Sequence, residues 1–131
     1  MLKPEAELRV GRHLRLAKGL LETAMLRDRS SEFEERNALS RAYYALFHAC
    51  YALILSNGVE PSKSHGGLRA QVQRWLGKSF GRFFGDLYEL RRASDYDERW
   101  RPVRHVTDAR LKSARTNVLW ACLEAEKKRG V

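Results

Sequence analysis

An all-α helical bundle is the fold class that this sequence predicts. Apolar residues recur at helical spacing through most of the chain, and no segment alternates apolar and polar residues as a half-buried strand would. The polar connections between the periodic segments are short, which favours antiparallel neighbours in an up-and-down order. With 131 residues and no domain linker, the chain is expected to form one helical domain, residues 1–131, of four to five helices.

The first helix is predicted to begin at Pro4 and to run to about Arg27. Proline is favoured in the first turn of a helix, and Glu5 and Glu7 place negative charge at the positive end of the helix dipole. Its buried side is expected to hold Leu14, Ala17, Leu21, Ala24 and Met25, with Leu16 and Leu20 widening the apolar stripe.

The central helix should open with Ser31 and Glu34, which have the spacing of a capping box, and close at Asn57 and Gly58. Within it, residues 40–55 (SRAYYALFHACYALIL) are apolar on nearly all sides, which predicts a buried helix. One stripe comprises Leu39, Tyr43, Leu46, Cys50 and Leu53, and the opposite one comprises Tyr44, Phe47, Tyr51 and Ile54.

Two polar residues, Arg41 and His48, interrupt the central helix on one face, because they lie about two helical turns apart. They could line a functional cleft. In the structural alternative, Arg41 pairs with a carboxylate and His48 is a core histidine with satisfied hydrogen bonds, and the pattern favours this interpretation.

Two further helices are predicted after a polar loop. Ser64 can cap a third helix that stops at Gly77, and Ser79 can cap a fourth. Their apolar positions are Leu68, Val72, Trp75 and Leu76 in the third, and Phe80, Phe83, Phe84, Leu87 and Leu90 in the fourth. Glycines inside these helices, Gly81 and Gly85 among them, are poor helix formers, but some could permit close packing.

The periodic pattern breaks after Arg92 into the irregular stretch ASDYDERWRPVRH, and Thr107 with Asp108 restarts a helix. The last helix should end near Arg129 and Gly130. Its buried stripe should hold Leu111, Ala114, Val118, Ala121 and Cys122, with Leu119 and Trp120 beside it.

The chain is strongly basic, with 25 Lys and Arg against 16 Asp and Glu and a formal net charge of +9, which suits a polyanion or an acidic protein as partner.

Cys50 and Cys122 lie inside apolar helical patterns, which favours buried free thiols in a reducing compartment, and we expect a cytoplasmic protein. The beginning of the chain lacks the order of a secretory signal, and the apolar run around residues 42–55 is too short to span a bilayer, so membrane insertion is not expected.

No spaced set of zinc ligands is visible, since the cysteines and the four histidines, His13, His48, His65 and His105, are scattered. No phosphate-cradling glycine motif has the required strand context, and no nucleophile elbow is present. The sequence therefore predicts no metal or other cofactor, and excludes the common machinery of nucleotide hydrolysis and acyl transfer.

The segment LYELRRASDYDER places Arg91, Arg92, Asp95, Tyr96 and Asp97 where a buried helix meets solvent. An Arg side chain can hold a phosphate through two contacts, and a Tyr hydroxyl can donate to a phosphate oxygen or position a ribose hydroxyl. The segment could therefore bind a phosphodiester. In the structural alternative, which the pattern favours, Arg91 forms a salt bridge with Asp95 while Tyr96 packs as a lid over the core.

A basic and aromatic run follows, comprising Arg99, Trp100, Arg101, Arg104, His105 and Arg110. Such a run can track a nucleic-acid backbone and stack a base, or it can be an ordinary solvated face. The surplus positive charge of the whole chain is in line with the first interpretation.

Three segments in order, SRAYYALFHA, KSHG at residues 63–66, and LYELRRASDYD, make the chain similar to the small stand-alone prokaryotic proteins of the HEPN family. The resemblance runs over essentially the whole chain. It implies a bundle of four main helices plus a short extra one, a homodimer, and often a gene beside a minimal nucleotidyltransferase that acts as antitoxin. It further implies a metal-independent RNA endonuclease, in which the ribose 2′-hydroxyl attacks the adjacent phosphate while a His handles the proton and an Arg stabilises the developing charge.

The chain departs from the family pattern at the proton carrier. Aligned on Arg91, the position of the motif His is filled by Tyr96, preceded by Asp95. A Tyr side chain, with an ordinary pKa of about 10, is a poor general base near neutral pH. In this resemblance Arg91 would hold the scissile phosphate, and Asp95 and Tyr96 would orient the 2′-hydroxyl. RNA affinity would come from Arg92, Arg99, Arg101 and Arg104, and the cleft could be bordered by Arg41, His48, Lys63 and His65.

The main functional hypothesis is therefore an RNA-binding toxin or ribonuclease-like protein of a toxin–antitoxin or defence system, acting as a homodimer on RNA. The alternative is a non-catalytic module that binds a nucleotide or a partner nucleotidyltransferase through the same surface. A third hypothesis is a structural subunit of a larger defence assembly, in which the basic loop contacts an acidic protein.

Overall fold

The computed structural model describes residues 2–26 and 29–129, and these ranges contain four helices and no strand. The helices are α1 (Pro4–Ala24), α2 (Glu32–Ser56), α3 (His65–Tyr96) and α4 (Arg104–Lys127). The predicted all-α bundle is thus confirmed. The first helix ends at Ala24, before the predicted Arg27, and the predicted closing residue Gly130 lies outside the described ranges.

Helix α2 is the centre of the bundle and packs against α1, α3 and α4. Helix α4 touches α1 and α3 only briefly, and within the described ranges α1 and α3 do not pack against each other. The predicted inner stripe of α2 is buried as expected, comprising Leu39, Tyr43, Leu46, Cys50 and Leu53. The inner face of α2 is therefore shared by the three other helices.

The second apolar stripe of α2 is only partly covered, so the prediction of a helix buried on nearly all sides was wrong for this face. Ile54 is fully buried, but Tyr44 is 38% exposed, and Phe47 and Tyr51 are half-buried. This stripe runs between α1 and α3, and because those two helices do not meet, they leave it partly open to solvent.

Helix α2 is long and apolar enough to cross a membrane by length and composition alone. However, 67% of its most apolar stretch is buried inside the bundle. That burial is typical of the core helix of a soluble protein, in which the surrounding helices replace lipid as the apolar environment.

One of the two backbone hydrogen bonds of the capping box predicted at the start of α2 is present, and the Glu34 carboxylate accepts from the Ser31 hydroxyl instead of from its amide. The Ser31 hydroxyl accepts a hydrogen bond from the Glu34 backbone amide at 3.2 Å, which satisfies one of the amides left unpaired at a helix start. The other end of α2 also follows the prediction, since Asn57 is the C-cap and Gly58 adopts a positive φ of 77°. Helix α1 differs in detail, because Val10 is fully buried and Leu16 is 48% exposed.

Helix α3 is bent back on itself at Gly77, whose φ of 85° and ψ of 174° are not helical. The Ser64 hydroxyl caps its start, accepting from the Gly67 amide at 3.1 Å, as predicted. The rings of His65 and Tyr88 stack at 3.8 Å, whereas in a straight helix residues so far apart would be separated by about 35 Å. Residues 65–76 and 78–96 therefore run antiparallel, and we call this arrangement the α3 hairpin.

Close packing of the two arms of the α3 hairpin depends on a residue without a side chain. A Cβ atom at Gly81 would lie 2.2 Å from the side-chain nitrogen of Gln73 on the opposite arm, closer than any real contact. The predicted helix break at Gly77 is confirmed, because this residue is not helical. The short extra helix that the resemblance implies is not confirmed, because residues 78–96 form the second arm of α3.

The end of α3 was predicted wrongly. The helix continues past Arg92 to Tyr96, and α4 begins at Arg104 rather than at Thr107. The reason is Arg36 on α2, whose guanidinium donates to the carbonyl oxygens of four residues at the end of α3 and in the following loop: Ala93, Ser94, Asp97 and Trp100. A positive group at the negative end of the helix dipole stabilises this extra turn.

A pair of histidines joins α1 to the partly open face of α2. The Nδ1 atoms of His13 and His48 lie 2.9 Å apart, and His13 also packs against the ring of Tyr51 at 4.5 Å. Such a bond needs one ring as donor and the other as acceptor, so the accepting ring must be neutral. Burial, together with the nearby charges of His48 and the arginines Arg9 and Arg12, lowers the pKa of His13 to about 4, and burial also lowers the pKa of His48.

Replacing Arg36 with Met should lower the free energy of unfolding by about 3 kcal/mol, because several hydrogen bonds from a charged and largely buried guanidinium are lost. The measurement is urea unfolding followed by circular dichroism. The matched control is Arg41→Met on the same helix, since Arg41 is exposed and pairs with none of the described acidic residues. Equal losses in the two variants would contradict this role of Arg36.

Acidification should destabilise the protein through His13. Between pH 6.5 and about 4 the unfolded chain binds a proton at this position that the folded chain excludes, so the free energy of unfolding falls as the pH falls through that range. In His13→Gln this decline should be shallower, whereas His105→Gln, at an exposed position, should follow the wild type. Parallel curves for wild type and His13→Gln would show that His13 is not responsible.

Candidate functional site

Arg91, in the last turns of α3, is surrounded by aromatic rings. Its guanidinium carbon lies 5.3 Å from the ring centre of Tyr43, 5.6 Å from Tyr44, 5.4 Å from Tyr88 and 5.6 Å from Tyr96. We call these four rings the tyrosine cluster. The faces of aromatic rings attract cations, so the cluster holds the guanidinium in place on the side of α2 that faces α3.

The polar contacts of Arg91 satisfy only part of its guanidinium. Its Nη1 donates to the hydroxyl oxygen of Tyr96 at 3.3 Å and lies 3.7 Å from a carboxylate oxygen of Asp95, which also accepts from the hydroxyl of Ser40 at 3.3 Å. The Nε of Arg91 is buried without a hydrogen-bond partner. The salt bridge of the structural alternative is thus present, although at a long distance, and the Arg91 side chain is only 13% exposed.

Tyr96 is not a lid over the core, because it is 73% exposed. It stands between two surface grooves, and together with Asp97 and Glu98 it lines both of them. Arg92 and Arg99 line the first groove, and the second runs along the start of α2. The phenol ring of Tyr96 is therefore presented to solvent while its hydroxyl stays in contact with Arg91.

His65 belongs to the same site, although it lies at the opposite end of α3 in the sequence. Its Nδ1 is 3.0 Å from the hydroxyl of Tyr43, and its ring is nearly parallel to that of Tyr88 and 4.6 Å from the ring of Phe84. Burial lowers the pKa of His65, and the positive charges of Arg69 and Arg91 lower it further, against the opposing effect of Glu89. The imidazole is therefore neutral at neutral pH and can accept a proton.

The predicted RNA-binding arginines are exposed, but only Arg92, Arg99 and Arg101 line the grooves beside Tyr96, whereas Arg104 lines a separate groove at the start of α2. Arg92 lies 5.9 Å above the ring of Tyr88, and no described acidic side chain forms a salt bridge with Arg99 or Arg104. Arg101 is partly used, since it lies 3.5 Å from the carboxylate of Glu32. The grooves beside Tyr96 thus combine exposed arginines with acidic side chains, Asp97 and Glu98 among them.

Trp100 is less accessible than its place in the basic run suggested. Its ring packs against the core and lies beneath the guanidinium of Arg36, 5.4 Å from the guanidinium carbon. Stacking of an RNA base on Trp100 would therefore require displacement of Arg36 from the end of α3.

The residues named as a border of the cleft do not all lie together. Only His65 contacts the tyrosine cluster. His48 faces His13 on α1, Arg41 lies in a groove beside the end of α1, and Lys63 is exposed in the loop before α3. The structure thus gathers His65, Arg91, Asp95 and Tyr96 at one place.

The groups gathered here can perform electrostatic and acid–base chemistry. In the described ranges no three His, Cys, Asp or Glu side chains are placed to hold a metal ion together. Cys50 and Cys122 are buried free thiols, and burial raises the pKa of Cys122 to about 11 and that of Cys50 well above its ordinary value. Reactive thiolates are therefore not part of this site.

No protein-family model matches the chain. Three curated proteins are similar to part of it. The chain is 36% identical over 66 residues to "Putative toxin MJ0605" of Methanocaldococcus jannaschii, an alignment that covers 47% of this chain and 49% of that protein. It is 36% identical over 67 residues to a UPF0332 protein of Thermotoga maritima, covering 47% of this chain and 51% of that protein.

The third relative, UPF0332 protein PH1297 of Pyrococcus horikoshii, is 37% identical over 60 residues, which is 46% of this chain and 41% of that protein. The chain thus spans about half the length, or less, of the curated relatives that it matches. Over this part it is similar to proteins that carry the name of a toxin or of UPF0332.

Proposed function

We propose that this protein is a HEPN-type, RNA-binding toxin that acts as a homodimer and cleaves RNA without a metal ion. The observation that carries the proposal is the gathering of Arg91, Asp95, Tyr96 and His65 at one place, beside Arg92 and Arg99, which form no salt bridge with a described acidic side chain. The toxin name of the M. jannaschii relative supports the biological class. The three HEPN-like segments support the reaction type.

In this proposal Arg91 stabilises the charge that develops on the phosphate during cleavage. A guanidinium can bind two oxygens of a phosphate in parallel, and the Nε of Arg91, which is buried in this structure, has no hydrogen-bond partner to give up. Because Tyr96 is exposed, rotation of its side chain would uncover the guanidinium without disturbing the core. Asp95 would keep the guanidinium oriented from within its own helix.

The surrounding charge supplies affinity in this proposal. Arg92 and Arg99 line the groove on one side of Tyr96, and Arg101 lines the groove on the other side. Positive side chains that track a phosphate backbone bind RNA with little sequence preference and in a salt-dependent way. A second protomer would add its own copy of this surface, and a cytoplasmic minimal nucleotidyltransferase would be the matching antitoxin.

Replacing Arg91 with Lys should lower the rate of RNA cleavage in the presence of a metal chelator by about 100-fold or more, because Lys keeps the charge but loses the two-pronged contact. The measurement is cleavage of a labelled single-stranded RNA. The control is Arg115→Lys, at an exposed position in the middle of α4. If both variants cleave as fast as the wild type, Arg91 has no part in the reaction.

A specific observation favours a second candidate function, the non-catalytic module. Tyr96 is 73% exposed and presents its phenol between two grooves, while the Arg91 side chain is only 13% exposed. In this alternative the surface binds a nucleotide or the partner nucleotidyltransferase, and Tyr96 is the acceptor of an adenylyl group.

Calorimetry with RNA and with ATP separates the two candidates. An RNA-binding surface should lose affinity as salt rises, and Arg99→Gln should reduce the slope of log K against log salt by about 0.7, the effect of one phosphate contact on a single strand. The control variant Arg115→Gln should leave that slope unchanged. Tight, salt-insensitive binding of ATP without affinity for RNA would instead support the nucleotide-binding module.

A further inference from the structure

The motif histidine expected from the family resemblance is replaced by Tyr96, so the proposed reaction lacks its ordinary proton acceptor. In the family resemblance the proton acceptor is an imidazole, which Tyr96 does not provide. Its hydroxyl oxygen is also engaged by Arg91 at 3.3 Å. A different side chain near Arg91 must take the proton if the reaction occurs.

The α3 hairpin brings one such side chain to the site from the other end of the helix. His65 stacks on Tyr88 at 3.8 Å and contacts the hydroxyl of Tyr43 at 3.0 Å. The guanidinium carbon of Arg91 lies 5.4 Å and 5.3 Å from the centres of the same two rings. The imidazole and the guanidinium therefore share two neighbours.

We propose that His65 is the general base of this site and accepts the proton of the attacking ribose 2′-hydroxyl, an inference that rests on the proposed ribonuclease function. Arg91 would bind the phosphate, and His65 would contact the neighbouring hydroxyl. Each contact would need a distance of about 2.6–3.2 Å, and the two groups that would make them pack against the same two rings, those of Tyr43 and Tyr88.

The surroundings of His65 fix its orientation. The Nδ1 atom is held by the Tyr43 hydroxyl, and the ring is confined between Tyr88 and Phe84. When Nδ1 carries the proton and donates it to the Tyr43 oxygen, Nε2 keeps its lone pair and can act as the base. No described residue forms a hydrogen bond with Nε2, and the ring is only partly buried.

The charges around His65 favour its neutral form. Arg69 on its own arm and Arg91 on the opposite arm of the α3 hairpin oppose protonation, and Glu89 favours it. Burial raises the pKa of the neighbouring Tyr43 hydroxyl, which therefore adds no negative charge beside the imidazole. A base that is neutral and close to a bound phosphate is ready to take a proton, and the resulting imidazolium would lie near the negative charge of the transition state.

The proposed step balances without a co-reactant other than water. The 2′-hydroxyl proton passes to Nε2 of His65, and the oxygen electron pair forms the new bond to phosphorus. The bond from phosphorus to the 5′-oxygen breaks, and that oxygen takes a proton from water. The imidazolium of His65 then releases its proton to water, leaving a 2′,3′-cyclic phosphate and a 5′-hydroxyl end.

The test is the pH dependence of kcat/KM for RNA cleavage by the full chain, with His65→Asn as the main variant. An Asn side chain can keep a hydrogen bond to Tyr43 but cannot take a proton. For the wild type we expect kcat/KM to fall at acidic pH as a single group becomes protonated, which gives the pH profile an acidic limb. In His65→Asn this acidic limb should be absent, and kcat/KM should be lower by about 100-fold or more. Tyr96→Phe should retain the limb, and affinity for an uncleavable 2′-deoxy strand should survive in His65→Asn.

A second measurement needs no variant. Titration of the His65 imidazole by NMR in the wild type should give the same pKa as the acidic limb of kcat/KM, since that limb reports groups of the free enzyme. Wild-type cleavage with an unchanged limb in His65→Asn, or with a limb that does not match this imidazole, would overturn the role of His65 and leave the ribonuclease function standing. A wild type that cleaves no RNA would instead remove the proposed function, and the role of His65 with it.

Discussion

The candidate site depends on the hydrogen bonds between the Arg36 side chain and the end of α3. One guanidinium donates to the carbonyl oxygens of Ala93, Ser94, Asp97 and Trp100, and so holds both the last turn of α3 and the loop that leads to α4. A helix C-terminus carries partial negative charge and unpaired carbonyl groups, and a planar cation satisfies both needs. Asp95 and Tyr96 lie in this turn, so their positions relative to Arg91 follow from a residue that belongs to α2.

One face of helix α2 forms the core of the bundle, and another face contributes to the candidate site. Its inner stripe is buried against the other three helices, as is usual for the apolar face of a helix. Its second stripe stays partly open because α1 and α3 flank it without meeting. Tyr44 at this boundary has one part in the protein and another in solvent, which suits a ring that holds the Arg91 cation.

Local signals in the sequence were sufficient to predict the helix starts at Ser31 and Ser64, the break at Gly77 and the buried inner stripe of α2. Capping and left-handed glycine geometry are set by residues close in sequence, so pattern can find them. The extension of α3 to Tyr96 could not be found in this way, because Arg36 is more than fifty residues from the carbonyls it binds. The packing of His65 and Arg91 against the same rings depends on the bend at Gly77, and the local hints were Gly81 and Gly85, where the two arms pack closely.

The α3 hairpin also constrains the number of residues in each of its two arms. His65 and Arg91 stand on opposite arms, and each faces the shared rings only because a fixed number of residues separates it from the bend at Gly77. One inserted or deleted residue in either arm would turn the side chains beyond it by about 100° around the helix axis. The number of residues between each of these two side chains and Gly77 is therefore fixed for as long as both face the shared rings.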